Sequence, residues 1–317
     1  MFRILSVSLL SLLLCASVAF AEKPLVVASD PTFPPNEMLN KDKEIVGFSI
    51  DYIKAVGKEA GFDVQVKNIA WDGIFAALAS NQVDVIAASV SITDKRKKAM
   101  LFTDPYYELH QAVVLPLGKE IKSLEELAGK KVGGQIGTSA MVQTIPASKV
   151  KMIVKTYDEV GLAFEDLAKG NLDAVMCDDP VAKYYANTKE EYRDKFHIAL
   201  VTGDPEYYGF ALRKNDKELA EKLNAGIKAV REKGIEDQIN EKWFGKKVEE
   251  ADEGISMEEG RRDLSGERSL LPSSNSSPPP PKTFVLIESL PSAFPVSARW
   301  GDSIFLIGEQ SIGKAAS

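Results

Sequence analysis

The sequence predicts an exported α/β protein built as two similar lobes, each a mostly parallel sheet covered by helices. Three observations carry that expectation. Strand-like and helix-like runs alternate from Leu25 to Phe244, the alternation starts afresh after Tyr106, and the chain has 317 residues. A single core rarely grows past about 250 residues, so that length has room for about two domains. Hydrophobic residues at 44% and charged ones at 27% are the balance of a globular chain.

In the first lobe, Leu25-Val26-Val27-Ala28-Ser29 is a nearly continuous apolar run, as a strand covered on both faces requires. Phe48, Tyr52, Ile53, Val56 and Ala60 then recur at helical spacing, with Gly61 where the helix stops. Val64-Gln65-Val66 alternates as a strand, Ile74, Phe75, Leu78 and Ala79 form a second helical stripe, and Val83 to Ala88 is a third strand.

After Tyr106, Gln111 to Leu115 reads as a strand, and Ser123-Leu124-Glu125-Glu126 as a capping box opening a short helix. Strands are expected from Lys131 and from Met152, a helix over 161–170, and a strand over 172–176. A single helix is expected over 217–244, with Leu219, Leu223, Ile227 and Val230 on one face.

The two ends differ in kind. Met1-Phe2-Arg3, an apolar block from Ile4 to Leu14 and the exit Ala19-Phe20-Ala21 form the pattern of a signal peptide cleaved near Ala21, so the mature protein is expected to be exported. The apolar block is shorter than the about 20 residues that span a bilayer. Residues 248–317 hold 7 of the 16 prolines, including the run Pro278 to Pro281. That low-complexity tail is expected to be disordered, either an appended binding segment or an out-of-frame extension.

Charge and composition exclude several classes. The formal charge is −7, of which the tail carries 11 acidic against 6 basic residues, so the body is mildly acidic and lacks the basic face of a nucleic-acid binder. Beyond the leader, no segment is long and apolar enough to cross a membrane as a helix, and past Cys15 the one cysteine is Cys177, so no disulfide is expected. His110 and His197 have no partner at metal-ligand spacing, and neither a nucleophile elbow nor a Walker loop occurs. No metal, cofactor or catalytic residue is expected.

Three stations remain. Ser89, Ser91 and Arg96 gather hydroxyls and a guanidinium fork at a strand end and helix start, suited to a carboxylate; the plain alternative is a helix cap and a solvated arginine. Gly137-Thr138-Ser139 offers backbone N–H groups to an anion, or is an ordinary strand-to-helix turn. Asp178 closes a strand, where ligands of open α/β sheets bind, and either meets an ammonium or caps the helix at Pro180.

A resemblance appears when these stations are read in order with Asp30-Pro31-Thr32-Phe33-Pro34-Pro35, Val46-Gly47-Phe48-Ser49-Ile50-Asp51, Trp71-Asp72-Gly73-Ile74, Ser91-Ile92-Thr93-Asp94-Lys95-Arg96, Phe102-Thr103-Asp104-Pro105-Tyr106-Tyr107 and Lys242-Trp243-Phe244-Gly245. Residues 22–247 resemble the periplasmic polar-amino-acid-binding proteins of ABC importers, solute-binding protein family 3; the tail matches nothing in that family. The resemblance implies the type II periplasmic-binding-protein-like fold, with two strands crossing between lobes near 107–110 and 203–207 and the ligand in the interlobe cleft. Lobe 1 would be residues 22–108 plus 204–247, and lobe 2 residues 109–203. It further implies that Arg96 clasps the ligand α-carboxylate with backbone groups at Ser91 and Ser139, and that Asp178 takes the α-ammonium with Ser89. Phe33 and Trp71 would sandwich the side chain, and Asp30 and Gln135 would read its tip.

The implied function is capture of a polar L-amino acid, basic or amide, by a monomer that delivers it to ABC permease subunits. The alternatives are a prephenate or arogenate dehydratase on the same scaffold, or a ligand-sensing module. Three positions depart from the family pattern: Asn36 replaces a phenylalanine before Glu37, Ala88 stands where serine is common, and Ala140 where a polar residue occurs. Because no core periodicity runs past Phe244, truncation after Lys247 is expected to leave folding, melting temperature and amino-acid binding as in the full chain. A large drop in melting temperature would show that the tail packs on the body.

Overall fold

A computed structural model describes residues 23–245; the leader and the tail lie outside the described residues. The chain runs through β1 (Leu25–Ser29), β2 (Thr32–Phe33), β3 (Glu37–Leu39), β4 (Ile45–Val46), α1 (Phe48–Glu59), β5 (Val64–Asn68), α2 (Trp71–Ala79), β6 (Val85–Ile86), α3 (Asp94–Ala99) and β7 (Met100–Phe102). It continues through β8 (Tyr107–Pro116), a 3₁₀ turn (Leu124–Leu127), β9 (Lys131–Gln135), α4 (Ile145–Ser148), β10 (Ile153–Tyr157), α5 (Val160–Ala168), β11 (Ala174–Asp178) and α6 (Asp179–Lys183). The last elements are β12 (Phe196–Tyr208), β13 (Ala211–Arg213), α7 (Lys217–Glu232) and α8 (Ile235–Phe244).

Two five-stranded sheets result, in the orders β5-β1-β6-β13-β7 and β10-β9-β11-β8-β12, with β2-β3-β4 as a small antiparallel sheet. In each five-stranded sheet three strands are parallel, β5-β1-β6 and β10-β9-β11. The two sheets share a reason for being covered on both faces. In β1, Leu25 and Val27 pack on α1 and α7 through Phe48, Tyr52, Ile53, Leu223 and Ile227, whereas Val26 and Ala28 pack on α2 through Trp71, Ile74 and Leu78. In β11, Val175 and Cys177 face Phe164 and Leu167 of α5, while Ala174 and Met176 face Met141 and Ile145. A strand with both faces dry must be apolar throughout, which is why β1 shows no alternation.

The long strands β8 and β12 join the two halves. They pair antiparallel from Phe196↔Pro116 to Tyr208↔Tyr107, with register breaks between Ile198 and Leu200 and between Thr202 and Glu206. Tyr208 and Leu109 belong to the apolar cluster of the first sheet, while Ala112 and Phe196 belong to a cluster of the second.

Four local expectations are corrected. The helix expected over 217–244 is two helices, because Gly234 takes the left-handed conformation (φ 65°) that ends one and starts the other. The capping box does not form: Ser123 makes no side-chain cap, and the Glu126 carboxylate accepts the N–H of Lys122 instead. The strand expected over 83–88 pairs only at Val85–Ile86, after which Ser89 turns to φ 49°. The strand expected over 172–176 is shifted to Ala174–Asp178, which brings Asp178 to its last position. Lys242 and Trp243 fasten the final helix by bonding the Asp51 carboxylate (2.6 and 2.7 Å), and Phe244 packs 4.8 Å from the Phe48 ring.

Candidate functional site

Each parallel strand next to the interlobe gap ends in, or runs on into, a polar residue, and these residues converge on one cavity. Asp30 follows β1, the Ser89–Ser91 turn follows β6, Gln135 ends β9 and Asp178 ends β11. Crevices beyond the carboxyl ends of strands are where open α/β sheets hold ligands. A cavity lies there, and all ten residues singled out from the sequence line it: Asp30, Phe33, Trp71, Ser89, Ser91, Arg96, Gln135, Thr138, Ser139 and Asp178. Ala88 completes the lining.

Arg96 is set by its helix. Thr93 caps α3 by accepting the Arg96 N–H (3.2 Å), and the guanidinium lies 5.4 Å from the Trp71 ring centroid and 5.6 Å from that of Phe75. Its Nη1 donates to the Ser91 carbonyl (2.9 Å) and its Nη2 to the Gly137 carbonyl across the gap (3.1 Å). Among the described residues no carboxylate stands within ion-pair distance of it. Burial pulls its pKa down to about 10, opposed by the fields of Asp178 and Glu206. It is therefore cationic at neutral pH, and its partners are only neutral carbonyls. Of the plain alternative, the helix cap forms at Thr93, but the guanidinium bonds two carbonyls at the cavity.

Asp178 faces it from the second sheet. The residue sits at the N-cap position of α6 yet makes no capping bond. Its carboxylate instead accepts from Tyr208 Oη (2.6 Å) and Gln111 Nε2 (2.8 Å). Burial pushes its pKa up to about 7, with those two hydrogen bonds working against the rise and Glu206 and Asp179 adding to it. Between the two charged groups, Ser91 Oγ and Ser139 Oγ lie 3.2 Å apart. Thr138 is turned away: its N–H (3.4 Å) and hydroxyl (2.8 Å) both go to the Gln135 carbonyl, so its wall contribution is mainly steric.

At the opposite end Asp30 accepts from Thr32 Oγ1 (2.9 Å), from the N–H of Trp71 (3.2 Å) and from Gln135 Nε2 (3.4 Å). Burial raises its pKa, and Glu159 adds to that rise. Trp71 is held further by Nε1 donating to the Ile136 carbonyl (2.9 Å). Phe33 is buried against the cluster of Phe164 and Val175, so a residue from the first half of the chain seals against the second sheet.

Three residues of the surroundings escaped sequence reasoning: Gln111, Glu206 and Tyr208. Glu37 is wholly buried, accepts from Ser89 Oγ (2.9 Å), and has its pKa raised by burial and by Asp30 and Asp178. Asn36 is buried too and directs Nδ2 to Tyr208 Oη (3.5 Å). Ala140, by contrast, is packed with Met141 and Ile145 rather than on the cavity. Gln111 and Tyr208 sit on the crossing strands, in runs that read as ordinary strand, so no local signal marks them.

This order of groups along the chain is matched by the sequence profile of bacterial extracellular solute-binding proteins, family 3, over residues 25–246. The chain belongs to this family. One relative in the family is a probable histidine-binding protein of Neisseria gonorrhoeae, 34% identical over 225 residues, covering 69% of this chain and 82% of the relative. Among solved structures, an ancestral arginine-binding protein bound to arginine is 40% identical, with a TM-score of 0.66, covering 71% of this chain and 100% of that one. The arginine-, lysine-, histidine-binding protein ArtJ of Geobacillus stearothermophilus is 36% identical, with a TM-score of 0.65, covering 71% and 96%. These matches make the fold that of a type II periplasmic binding protein, and the two crossing strands are its interlobe connections.

Proposed function

We propose that this solute-binding protein captures a free L-amino acid with a basic or amide side chain and delivers it to the permease subunits of an ABC importer. One observation carries the reading: Arg96 is cationic and faces the cavity with only neutral carbonyls, while Asp178 faces it across the gap. A zwitterion supplies the missing partners. Its α-carboxylate takes the free N–H groups of Arg96 with the Ser91 and Ser139 hydroxyls, and its α-ammonium takes Asp178 and Ser89. Burying both ends of a zwitterion is costly unless each is paired, so the pairing selects this ligand class. Because Arg96 stands on α3 beside the first sheet and Asp178 ends a strand of the second, ligand favours the closed arrangement, and occupancy becomes a shape that a permease can sense.

The side chain would lie between Phe33 and Trp71, with its tip at Asp30 and Gln135. A second carboxylate there favours a cationic or amide tip over an acidic one, and a guanidinium gains about 0.5–2 kcal/mol by stacking on aromatic faces. Relatives and solved structures named for binding arginine, lysine or histidine support a basic side chain. Binding without catalysis is part of the proposal, and the description of the matching family as solute-binding proteins supports it. Export by a cleaved leader, action as a periplasmic monomer, and lobes spanning 22–108 plus 204–247 and 109–203 complete the proposal.

A thermal-shift panel of the twenty amino acids plus ornithine tests it, since a tight ligand raises the melting temperature by linkage. Arginine, lysine or ornithine should give the largest shifts, followed by glutamine and histidine, with dissociation constants of about 1 μM or tighter. A largest shift from glutamate or aspartate would overturn the reading of Asp30.

A further inference from the structure

We infer that Glu206, on the second crossing strand, sets the charge preference of the cleft, favouring ligands of net positive charge over neutral ones. The inference rests on the amino-acid-binding reading and adds a residue that does not line the cavity.

The argument begins at Gln111. Its Nε2 has two N–H donors but lies within reach of three acceptors: Asp178 Oδ1 (2.8 Å), Ser139 Oγ (3.2 Å) and Glu206 Oε1 (3.3 Å). The two nearer acceptors leave Glu206 with the weakest claim. Its other oxygen, Oε2, is buried without a hydrogen-bond partner, as is Oε1 of Gln111, a residue only 1% exposed. Among the described residues no cation forms an ion pair with Glu206. A carboxylate with so little local neutralisation projects its field, and both Arg96 and Asp178 feel it.

The charges lining the cleft are one cation, Arg96, against Asp30 and Asp178, and Glu206 adds a third carboxylate behind Gln111. A neutral zwitterion leaves that excess of negative charge unchanged, whereas a ligand with a cationic side chain reduces it. The location of Glu206 is supplied by the hinge: it resumes the β12–β8 ladder opposite Leu109 directly after the register break at Thr202. A purely structural carboxylate, present only to hold Gln111, would treat cationic and neutral ligands alike.

The test is calorimetric titration of the full chain with L-arginine and with L-glutamine at pH 8, comparing wild type with Glu206→Gln and Glu206→Asp. Glu206→Gln should weaken arginine about tenfold and change glutamine less than twofold. Glu206→Asp, which keeps the charge, should retain the wild-type ratio of the two affinities. Equal losses for both ligands in Glu206→Gln, no change for either, or a collapsed ratio in Glu206→Asp would each overturn the inference. Wild-type protein that binds neither amino acid would remove the underlying functional reading, and the inference with it.

Discussion

Replacing Arg96 or Asp178 by alanine should weaken amino-acid binding by about 3–5 kcal/mol, roughly 10²- to 10³-fold or more. Each change leaves one charged end of the zwitterion buried and unpaired, which costs far more than the loss of an exposed contact. The size of the effect separates these positions from their neighbours: Ser91→Ala or Ser139→Ala, which remove one neutral hydroxyl, should cost about 1 kcal/mol. Arg96→Lys should fall between, because the ammonium keeps the charge but loses the planar fork that reaches both the Ser91 carbonyl and a carboxylate. Near-normal dissociation constants in both alanine variants would refute the assignment of the charged ends.

Arginine affinity should also depend on pH, falling about tenfold per unit as the pH drops below 7. The cause is Asp178, whose pKa burial raises to about 7 in the free protein. An ammonium partner requires the ionised carboxylate, so below that value binding must first expel a proton. The other groups facing the site do not reverse this sign. Arg96 stays charged because its pKa is about 10, and Asp30, although raised by burial, also favours a cation when ionised. The stability of the free protein should respond in the opposite sense. A carboxyl group with a raised folded-state pKa contributes stability fully below its unfolded value, and that contribution is lost as the pH rises through about 7. Titration calorimetry between pH 5 and 8, in two buffers of different ionisation enthalpy, should detect about one proton released per arginine at pH 6. Asp178→Asn should bind weakly with a flattened profile, and an unchanged slope in that variant would assign the titration elsewhere.

The apolar run of β1, the helical stripes at Phe48–Val56 and Leu219–Val230, and the restart after Tyr106 were enough to specify two covered sheets. Burial periodicity is a local property written residue by residue. The cleft residues were legible for a related reason. Asp30, Ser89, Gln135 and Asp178 stand where strands end, and strand ends can be read from where an apolar run stops. Gly234 was less legible, because a glycine inside a helical pattern reads as continuous helix until its φ of 65° is known.

What tertiary structure alone decided is the fate of each polar group. The sequence left Asp178 equally suited to cap a helix or to meet a ligand; Tyr208, thirty residues away, and Gln111, sixty-seven residues away, hold its carboxylate toward the cavity. It left Arg96 open between solvent and cleft; the Gly137 carbonyl and the Trp71 ring hold it at the cleft. Hydrogen bonds and Coulomb fields act through space between residues distant in sequence, and no periodicity records them. Glu206 could emerge only there, because its reach to Gln111 depends on the pairing of two crossing strands.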